Sequence, residues 1–431
     1  MEKNCLENIL MQKSPMKILI VSQYFWPENF RINDLASYFS EAGHEVTVLT
    51  GKPNYPEGVL HHEFSVNRNQ FSRLGNAEVY RVPMVLRGKR KILLALNYLS
   101  FFISASTIGL WKIRHKSFDV IFVFGASPIT AAIPAIIFKK IRKVPVFLWV
   151  LDLWPESLSA TGVVQSDFVL KTVGRMVSWI YENCDYILIQ SRSFLESIQK
   201  YCATADQLGK VVYFPSWAEE VFGQESQIVQ NAVTRRTDMF TVMFAGNIGD
   251  AQDFPALLAA AELLKTNHKI RWVIVGDGRA RDWVASEVVR RGLSECFHLA
   301  GRYPLESMPA FFSCADVLLV SLKTNDIFSR TIPGKVQSYL AFGKPIVGMI
   351  DGEAHAVIKE SGAGRACGSG DSKGLAGIIE ELANEQPEAL ANMGELGRQY
   401  YEKHYDRKML FLKLENFFKT AVSRKIFSDS V

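Results

Sequence analysis

The chain has few of the residues that build disulfide or metal frameworks. Its 431 residues include six cysteines, none of them in a Cys-x-x-Cys pair, and no Asp-x-Asp motif occurs anywhere. Scattered cysteines are typical of a reducing compartment and argue against a zinc or disulfide scaffold. With no carboxylate pair at metal-ligand spacing, we expect no metal site.

The start of the sequence also lacks the apolar segment of a secretory signal. Residues 1–15 are polar and mixed in charge, and the first apolar run begins at Met16. This pattern predicts a loose N-terminal extension at residues 1–15, on a protein of the cytoplasm.

One stretch of the chain, residues 92–111, lacks charge altogether. Its length reaches the roughly 20 residues at which an apolar helix spans a bilayer. It contains Asn97 with several Ser and Thr residues, and its two basic flanks give no orientation bias. Three interpretations stay open: a buried or semi-buried helix of the first domain, a helix lying in the membrane surface, and a span.

Positive charge is concentrated in one part of the chain. Residues 68–143 carry fourteen Lys and Arg residues against Glu78 and Asp119, whereas the part beyond residue 215 is slightly acidic. Such a basic surface binds nucleic acid, anionic lipid or a phosphorylated substrate. Nucleic-acid modules place exposed aromatics among their basic residues, but here the aromatics lie in apolar runs. We therefore expect an anionic membrane surface as the partner, and no nucleic acid.

Apolar strands alternate with helices in two series along the chain. The first series occupies residues 16–215 and the second residues 239–398, and residues 216–238 between them are polar without periodicity. This alternation predicts parallel sheets with helices on both faces. We predict an α/β fold of two Rossmann-like domains, a linker at 216–238 and a terminal helix at 399–431.

The stretch from 329 to 356 predicts a helix that starts at Pro333 and ends at Gly343, then a buried strand and a glycine loop. Arg330 and Lys335 bracket the helix start, where free N–H groups and the helix dipole attract anions. The pair is a candidate seat for a diphosphate. The alternative is a surface strand–helix unit with ordinary solvated charges.

Seven segments together resemble bacterial family 4 glycosyltransferases of the GT-B fold. The resemblance runs from Met16 to about Phe418, and it favours the L-fucosamine-transferase-like branch of O-antigen, capsule and colanic-acid assembly. The segments are MKILIVSQYFWPEN, GHEVTVLTGKPNYPEG, DLWPES, FAGNIGDAQD, VGDGRARD, GRYPLESMP and IPGKVQSYLAFGKPIVGMIDGEA.

The resemblance implies two Rossmann-like domains facing a central cleft, with the terminal helix packing back toward the N-terminal domain. It implies a hexosyl-type transferase without metal or cofactor, which moves a sugar such as N-acetyl-L-fucosamine with retention. The donor would be a nucleotide sugar, expected to be UDP-linked, in the C-terminal domain. The acceptor would be a lipid-linked (polyprenyl diphosphate) oligosaccharide against the N-terminal domain. The enzyme would then be peripheral on the inner face of the cytoplasmic membrane.

Matching positions give the site residues that the resemblance implies. Lys335 would be a cation for the leaving diphosphate, and Asp152 a polar residue of the acceptor side near the reaction centre, as an acid, base or orienting group. Arg330 is a second catalytic candidate through its charge beside the same helix start, and no family position matches it. The residues facing the nucleotide sugar would be Gly246, Asn247, Gly249, Gly276, Gly278, Arg302, Tyr303, Gln337, Gly352 and Glu353. The acceptor side would come from the first two loops of the N-terminal domain, with Pro27, Glu28, Asn29, Asn54 and Tyr55.

Two positions depart from the wider family, which carries two glutamates eight positions apart where this chain has Arg330 and Ser338. The ribose or donor-sugar contacts must then be made otherwise, and Gln337 and Glu353 are the nearest polar candidates.

Two other functions stay open. One is a sugar-nucleotide epimerase of the same fold, which would release a free sugar nucleotide. The other is a non-catalytic scaffold of a polysaccharide-assembly complex.

Overall fold

Two parallel sheets organise the chain, and each belongs to its own unit. The computed structural model describes residues 15–88, 90–160, 162, 164–223 and 234–429. Nearly all of the predicted N-terminal extension and residues 224–233 of the predicted linker lie outside this part. The first unit comprises the chain up to residue 189, residues 195–214 and the chain from residue 411 on, and the second comprises residues 190–194 and 215–410.

The first sheet is parallel except for one short hairpin at its edge. Its described strands are β1 (Lys17–Ser22), β2 (Glu45–Thr50), β3 (Arg73–Leu74), β4 (Ala77–Arg81), β5 (Val120–Gly125), β6 (Val146–Val150), β7 (Tyr186–Ile189) and β8 (Val211–Tyr213). They lie in the order β3-β4-β2-β1-β5-β6-β7-β8, with β3 and β4 antiparallel. The order reverses between β1 and β5, which places the ligand crevice of this sheet at their carboxyl ends.

Helices connect and cover these strands. The helices up to residue 208 are α1 (Arg31–Glu41), α2 (His62–Val66), α3 (Lys91–Ser104), α4 (Leu110–Lys112), α5 (Ala132–Arg142), α6 (Glu156–Ala160), α7 (Asp167–Asn183), α8 (Phe194–Gln199) and α9 (Ala205–Leu208). Strands β5 and β6 are buried along their whole length, because helices cover both faces of a parallel sheet.

The uncharged stretch forms one helix from Lys91 to Lys112, in which a π-helical turn joins α3 to α4. Among the described residues it is the helix that is long and apolar enough to cross a membrane by length and composition. One face is anchored in the first unit, because Asn97 is buried and its side chain bonds to Gln23 Nε2 at 2.7 Å and to the Val85 carbonyl at 2.6 Å. The other face exposes Ile92, Leu96, Leu99, Ile103 and Trp111. The helix is therefore semi-buried, with an apolar stripe facing outward.

The second sheet is parallel throughout. Its described strands are β9 (Phe240–Ala245), β10 (Ile270–Val275), β11 (Phe297–Gly301), β12 (Val317–Ser321), β13 (Ile346–Met349) and β14 (Gly364–Cys367). Their order is β11-β10-β9-β12-β13-β14, so the switch point lies between β9 and β12. Two apolar clusters of buried side chains fill the two faces of this sheet.

The remaining helices are α10 (Phe254–Leu263), α11 (Arg281–Arg290), α12 (Met308–Ser313), α13 (Asp326–Arg330), α14 (Gly334–Phe342), α15 (Gly352–Glu360), α16 (Ser372–Ala383), α17 (Pro387–His404) and α18 (Arg407–Asp429). The predicted terminal helix differs at its start, since α17 runs to His404 and α18 begins only at Arg407. From Phe411 on, α18 belongs to the first unit. There the Phe418 ring packs against those of Phe39 and Phe147, with centroids 5.6 and 4.8 Å apart, and completes the core.

Candidate functional site

The loops at the carboxyl ends of β9, β10 and β11 lie directly against one another. Gly246 donates its N–H to the Val275 carbonyl at 2.8 Å, and Gly276 donates to the Gly301 carbonyl at 2.7 Å. Gly276 has a φ of +146°, and a Cβ there would lie 1.8 Å from the Gly246 carbonyl oxygen. Only glycine allows this approach, so the three loops form one backbone surface at the edge of the sheet.

Lys335, in the first turn of α14, faces this surface. Its Nζ lies 3.4 Å from the centroid of the Phe244 ring, and a Cβ on Gly246 would lie 2.6 Å from its Cε. Burial lowers the pKa of Lys335 to about 7, whereas the Phe244 ring favours the charged ammonium. An anion beside Gly246 would also favour the charged form. The Lys335 ammonium, the start of α14 and the glycine backbone together form a surface that can bind a diphosphate.

The other predicted residues of the loops after β9 and β10 differ in their exposure to solvent. Asn247 is exposed, whereas Gly249 is buried and donates its N–H to Gln252 Oε1 at 3.1 Å. Gly278 packs closely against the loop after β9, because a Cβ at position 278 would be 2.4 Å from the Ile248 carbonyl oxygen. Of this group, Asn247 has the side chain that a ligand can reach.

Arg302 and Tyr303 follow β11 on the same edge. The Arg302 side chain is exposed, and the Tyr303 ring packs on Phe311 with centroids 4.6 Å apart. Arg330 is the last residue of α13, and its carbonyl accepts a hydrogen bond from Ser191 Oγ. The structure therefore places Arg302 with the glycine loops and fixes Arg330 by its backbone.

Glu353 has a set of partners that the sequence did not predict. Its Oε2 accepts hydrogen bonds from Ser191 Oγ at 2.6 Å and Ser193 N at 2.5 Å, and its Oε1 accepts one from Arg192 N at 2.8 Å. These donors are consecutive residues, so the carboxylate holds the short segment 191–193 from a distant part of the chain. Gly352, with a φ of +69°, turns the chain into this position. Both Glu353 oxygens are thus engaged within the protein.

A carboxylate lies beside position 338 although the sequence has serine there. Ser338 Oγ donates to Glu219 Oε2 at 3.0 Å, across 119 positions of sequence. Neighbouring Gln337 is fully buried, and neither of its amide atoms has a hydrogen-bond partner within the described residues. Glu219 is a neighbour of α14 that sequence reasoning missed, because no local pattern connects it with that helix.

In the first unit, Asp152 follows β6 and is held by a neighbouring loop. Ser127 Oγ donates to Asp152 Oδ2 at 2.6 Å and accepts a hydrogen bond from Trp154 Nε1 at 2.8 Å. Burial raises the pKa of Asp152, and the bond from Ser127 opposes that rise. The carboxylate is oriented by a side chain instead of capping α6, which leaves it suited to an acid, base or orienting role.

The two predicted acceptor-side loops are tied together by Glu28. Its Oε1 accepts hydrogen bonds from Asn54 N and Tyr55 N, both at 2.6 Å, and its Oε2 accepts one from Phe25 N at 3.1 Å. Burial raises the pKa of Glu28, and the three backbone donors oppose this. Because Glu28 is 5% exposed, it supports the loops from inside.

Of the other acceptor-side residues, Asn54 is buried and Tyr55 is 41% exposed. Pro27 is partly exposed and Asn29 is exposed. The Tyr55 ring packs against Tyr24, with centroids 5.2 Å apart. A ligand at this edge can therefore reach Asn29, Pro27 and the Tyr55 ring.

Within the described residues, no group of three or more His, Cys, Asp or Glu side chains could hold a metal ion. Positive charge near the glycine loops includes Lys335, the exposed side chain of Arg302, and Arg279, which forms an ion pair with Asp250.

Two family descriptions match the two halves of the chain. Residues 29–208 match the Glycosyl transferase 4-like domain, and residues 239–385 match Glycosyl transferases group 1. Together they cover about three quarters of the sequence.

Similar proteins cover nearly the whole chain. WcaI of Escherichia coli (strain K12), named as a colanic acid biosynthesis glycosyl transferase, is 24% identical over 425 residues, which cover 93% of this chain and 99% of that protein. Alr3699/HepE from Anabaena, solved in complex with UDP, has a TM-score of 0.67 at 14% identity, and the match covers 94% of this chain and all of that one. WaaG, a glycosyltransferase involved in lipopolysaccharide biosynthesis, has a TM-score of 0.61 at 13% identity over 94% and 99% of the chains. These structures show the same GT-B fold.

Proposed function

Because the chain belongs to the glycosyltransferases that join a 4-like domain to a group 1 domain, we propose that it transfers a sugar from a UDP-linked donor to a polyprenyl diphosphate-linked acceptor. The product is a bacterial surface polysaccharide, in keeping with the names of WcaI and WaaG. The observation that carries the proposal is the position of Lys335, whose ammonium lies over Phe244 and against Gly246 at the carboxyl edge of the second sheet.

The donor site lies in the second unit. Backbone of the glycine loops and the start of α14 receive the diphosphate, and Arg302 with Tyr303 lies where the base would extend. Structures of HepE in complex with UDP and with UDP-glucose support a UDP-linked donor. An N-acetyl-L-fucosamine or related amino or deoxy sugar is the transferred group.

Sugar transfer passes through an oxocarbenium-like transition state while negative charge builds on the leaving diphosphate. Lys335 and the N-terminus of α14 stabilise that charge, and preorganised electrostatics of this kind often supply the largest catalytic term. Asp152, oriented by Ser127, interacts with the incoming acceptor hydroxyl. The anomeric configuration is retained by a front-face route in which the leaving phosphate assists, without a covalent enzyme intermediate.

The acceptor is reached at the inner face of the cytoplasmic membrane, where the enzyme is peripheral. The exposed stripe of α3 is apolar, and Arg90 and Lys91 at the start of the helix are exposed cations. An apolar helix face flanked by cations lies in the interface of an anionic membrane. Asn97 anchors the opposite face in the fold, and this supports surface binding over spanning.

The test is a panel of nucleotide sugars with purified protein and a bacterial membrane extract, in which free UDP and lipid-linked product are measured together. We expect one donor to give both signals. Lys335→Ala should lower turnover about a hundredfold or more, and Lys359→Ala, which removes an exposed lysine of the same unit, should leave it unchanged. Interconversion of sugar nucleotides without UDP release would replace the proposal by the epimerase, and no turnover with any donor would favour the scaffold.

A further inference from the structure

One cation of the first unit lies among aromatic hydroxyls and rings instead of beside a carboxylate. Arg87 Nη1 donates to the Tyr24 hydroxyl at 3.1 Å, and the guanidinium carbon lies 5.3 Å from the centroid of the Tyr55 ring. The half-buried guanidinium has no carboxylate partner among the described side chains.

The backbone of Arg87 is fixed at the acceptor-side loops. Its N–H donates to Asn54 Oδ1 at 2.7 Å, and a Cβ on Gly58 would lie 2.0 Å from its carbonyl oxygen. Glu28 holds the backbone of Asn54 in turn. The guanidinium is therefore placed by the same loops that form the carboxyl edge of the first sheet.

Tyr98 feels the charges of both Arg87 and Asp152. Burial is the largest cause of the raised pKa of the Tyr98 hydroxyl, the Arg87 guanidinium lowers that pKa, and the negative charge of Asp152 adds to the rise. The Tyr98 ring lies 6.0 Å from that of Trp154, whose Nε1 bonds to Ser127, the partner of Asp152. One edge of the sheet thus presents a cation and a carboxylate separated by a tyrosine.

We propose that Arg87 is the anion anchor of the acceptor site, and that its guanidinium binds the diphosphate group of a prenyl diphosphate-linked acceptor. A planar guanidinium offers paired N–H donors that match phosphate oxygens, and a partly desolvated cation without a counterion favours an incoming anion. Four residues after Arg87, α3 begins with its exposed apolar stripe. A ligand with an anionic head and an apolar tail matches this order of cation and apolar surface.

The identity of the ligand rests on the proposed function, so the test measures binding and not transfer. Farnesyl diphosphate and farnesol are titrated into the full-length protein by calorimetry, with saturating UDP present to fill the donor site near Lys335. We expect the wild type to bind farnesyl diphosphate at least tenfold more tightly than farnesol. Arg87→Gln should weaken farnesyl diphosphate binding at least tenfold and leave farnesol binding unchanged.

Arg68→Gln is the matched control, because it removes an exposed arginine of the same unit. It should change the affinity for farnesyl diphosphate less than twofold. Three results would each contradict the role proposed for Arg87. These are an equal loss of affinity in both variants, an unchanged affinity in Arg87→Gln, and equal affinities of the wild type for farnesyl diphosphate and farnesol.

Arg87→Lys covers the case in which the glutamine variant does not fold. It keeps the charge but not the fork of donors, and a three- to tenfold weaker affinity for farnesyl diphosphate is expected, whereas wild-type affinity contradicts the anchor. The two proposals can also fail separately. A donor panel without transfer contradicts the proposed function and leaves the farnesyl diphosphate result intact. Normal transfer with no Arg87 effect on binding contradicts only the anchor.

Discussion

Ser338 donates a hydrogen bond to Glu219, with Oγ and Oε2 3.0 Å apart. Ser338 lies three positions after Lys335, on the same side of α14. A carboxylate therefore reaches this helix from the segment that follows β8, at one of the two positions where the sequence departs from the expected glutamates.

Glu219→Gln is expected to raise the KM for the UDP-sugar about tenfold or more, with a smaller change in kcat. The reason is that a hydrogen bond from a ligand hydroxyl to a carboxylate contributes about 1.5–3 kcal/mol, more than one to a neutral amide. Steady-state kinetics with varied donor measure the change. Glu220→Gln alters an adjacent, exposed glutamate and should keep the wild-type KM. The double variant Glu219→Ser with Ser338→Glu should regain donor affinity, and an unchanged KM in Glu219→Gln would remove Glu219 from the donor site.

The pKa of Lys335, lowered to about 7 by burial, sets the alkaline side of the pH profile. The charged form, which binds the diphosphate, is present below that pKa and lost as the pH rises through it. We expect kcat/KM for the donor to fall above about pH 7. In Lys335→Arg the fall should disappear even where the rate is lower, because arginine stays protonated. A wild-type profile that is flat from pH 6 to 9 would contradict this role.

We expect Asp152 to determine the acid side of the pH profile. Burial raises its pKa and Ser127 lowers it, so the carboxylate form is present above the folded-state pKa and lost as the pH falls through it. Ser127→Ala removes the bond that favours the charged form, and it should move the acid limb of kcat to higher pH. Asp152→Asn should remove that limb and lower kcat about a hundredfold or more. The measurement is kcat between pH 4 and 8, and an acid limb that stays in place in Ser127→Ala would argue against this pair.

Treatment with a chelator tests whether a metal ion is needed to stabilise the leaving diphosphate. If side-chain cations and a helix N-terminus stabilise the diphosphate, as proposed, transfer should proceed at the same rate in EDTA. The assay follows UDP release before and after dialysis against the chelator. Lost activity that Mg²⁺ or Mn²⁺ restores would show that a metal supplies the charge instead.

Leu99→Asp should weaken binding to anionic vesicles, because it places a charge in the outward apolar stripe of α3. Leu263→Asp is the matched control, as Leu263 is an exposed leucine of the second unit. Vesicle sedimentation gives the bound fraction, which should also fall with rising salt and in Arg90→Gln with Lys91→Gln. Equal binding of both aspartate variants would show that α3 does not face the lipid.

The fold could be predicted from the sequence because its signals are local. The two series of apolar strands and connecting helices predicted two parallel sheets, the resemblance added the GT-B fold, and the structure confirms both sheets. The helix expected between Pro333 and Gly343 occupies Gly334–Phe342, and Gly343 ends it with a φ of +75°. Apolar runs, a proline at a helix start and a glycine at its end act within a few residues, so a sequence displays them directly.

The side-chain partners of the site could not be predicted in the same way. Glu353 was expected under the donor sugar, but its oxygens bind Ser191, Arg192 and Ser193, more than 150 positions away. Arg87 belongs to a run of basic residues in the sequence, and only the packing shows that its guanidinium turns toward tyrosines. Such contacts depend on how distant strands are arranged, and a charge pattern along the chain does not encode this.

The hydrogen bonds from Gly246 to Val275 and from Gly276 to Gly301 join three neighbouring loops in series. Their spacing follows that of the strands, about 4.8 Å each. Under the proposed function, the part of a nucleotide near Arg302 and the part near Lys335 would therefore be positioned by one hydrogen-bonded set of loops. A substitution of the exposed Arg302 side chain could change which base is preferred. A shift of any of these loops would instead change the binding of both ends of the donor.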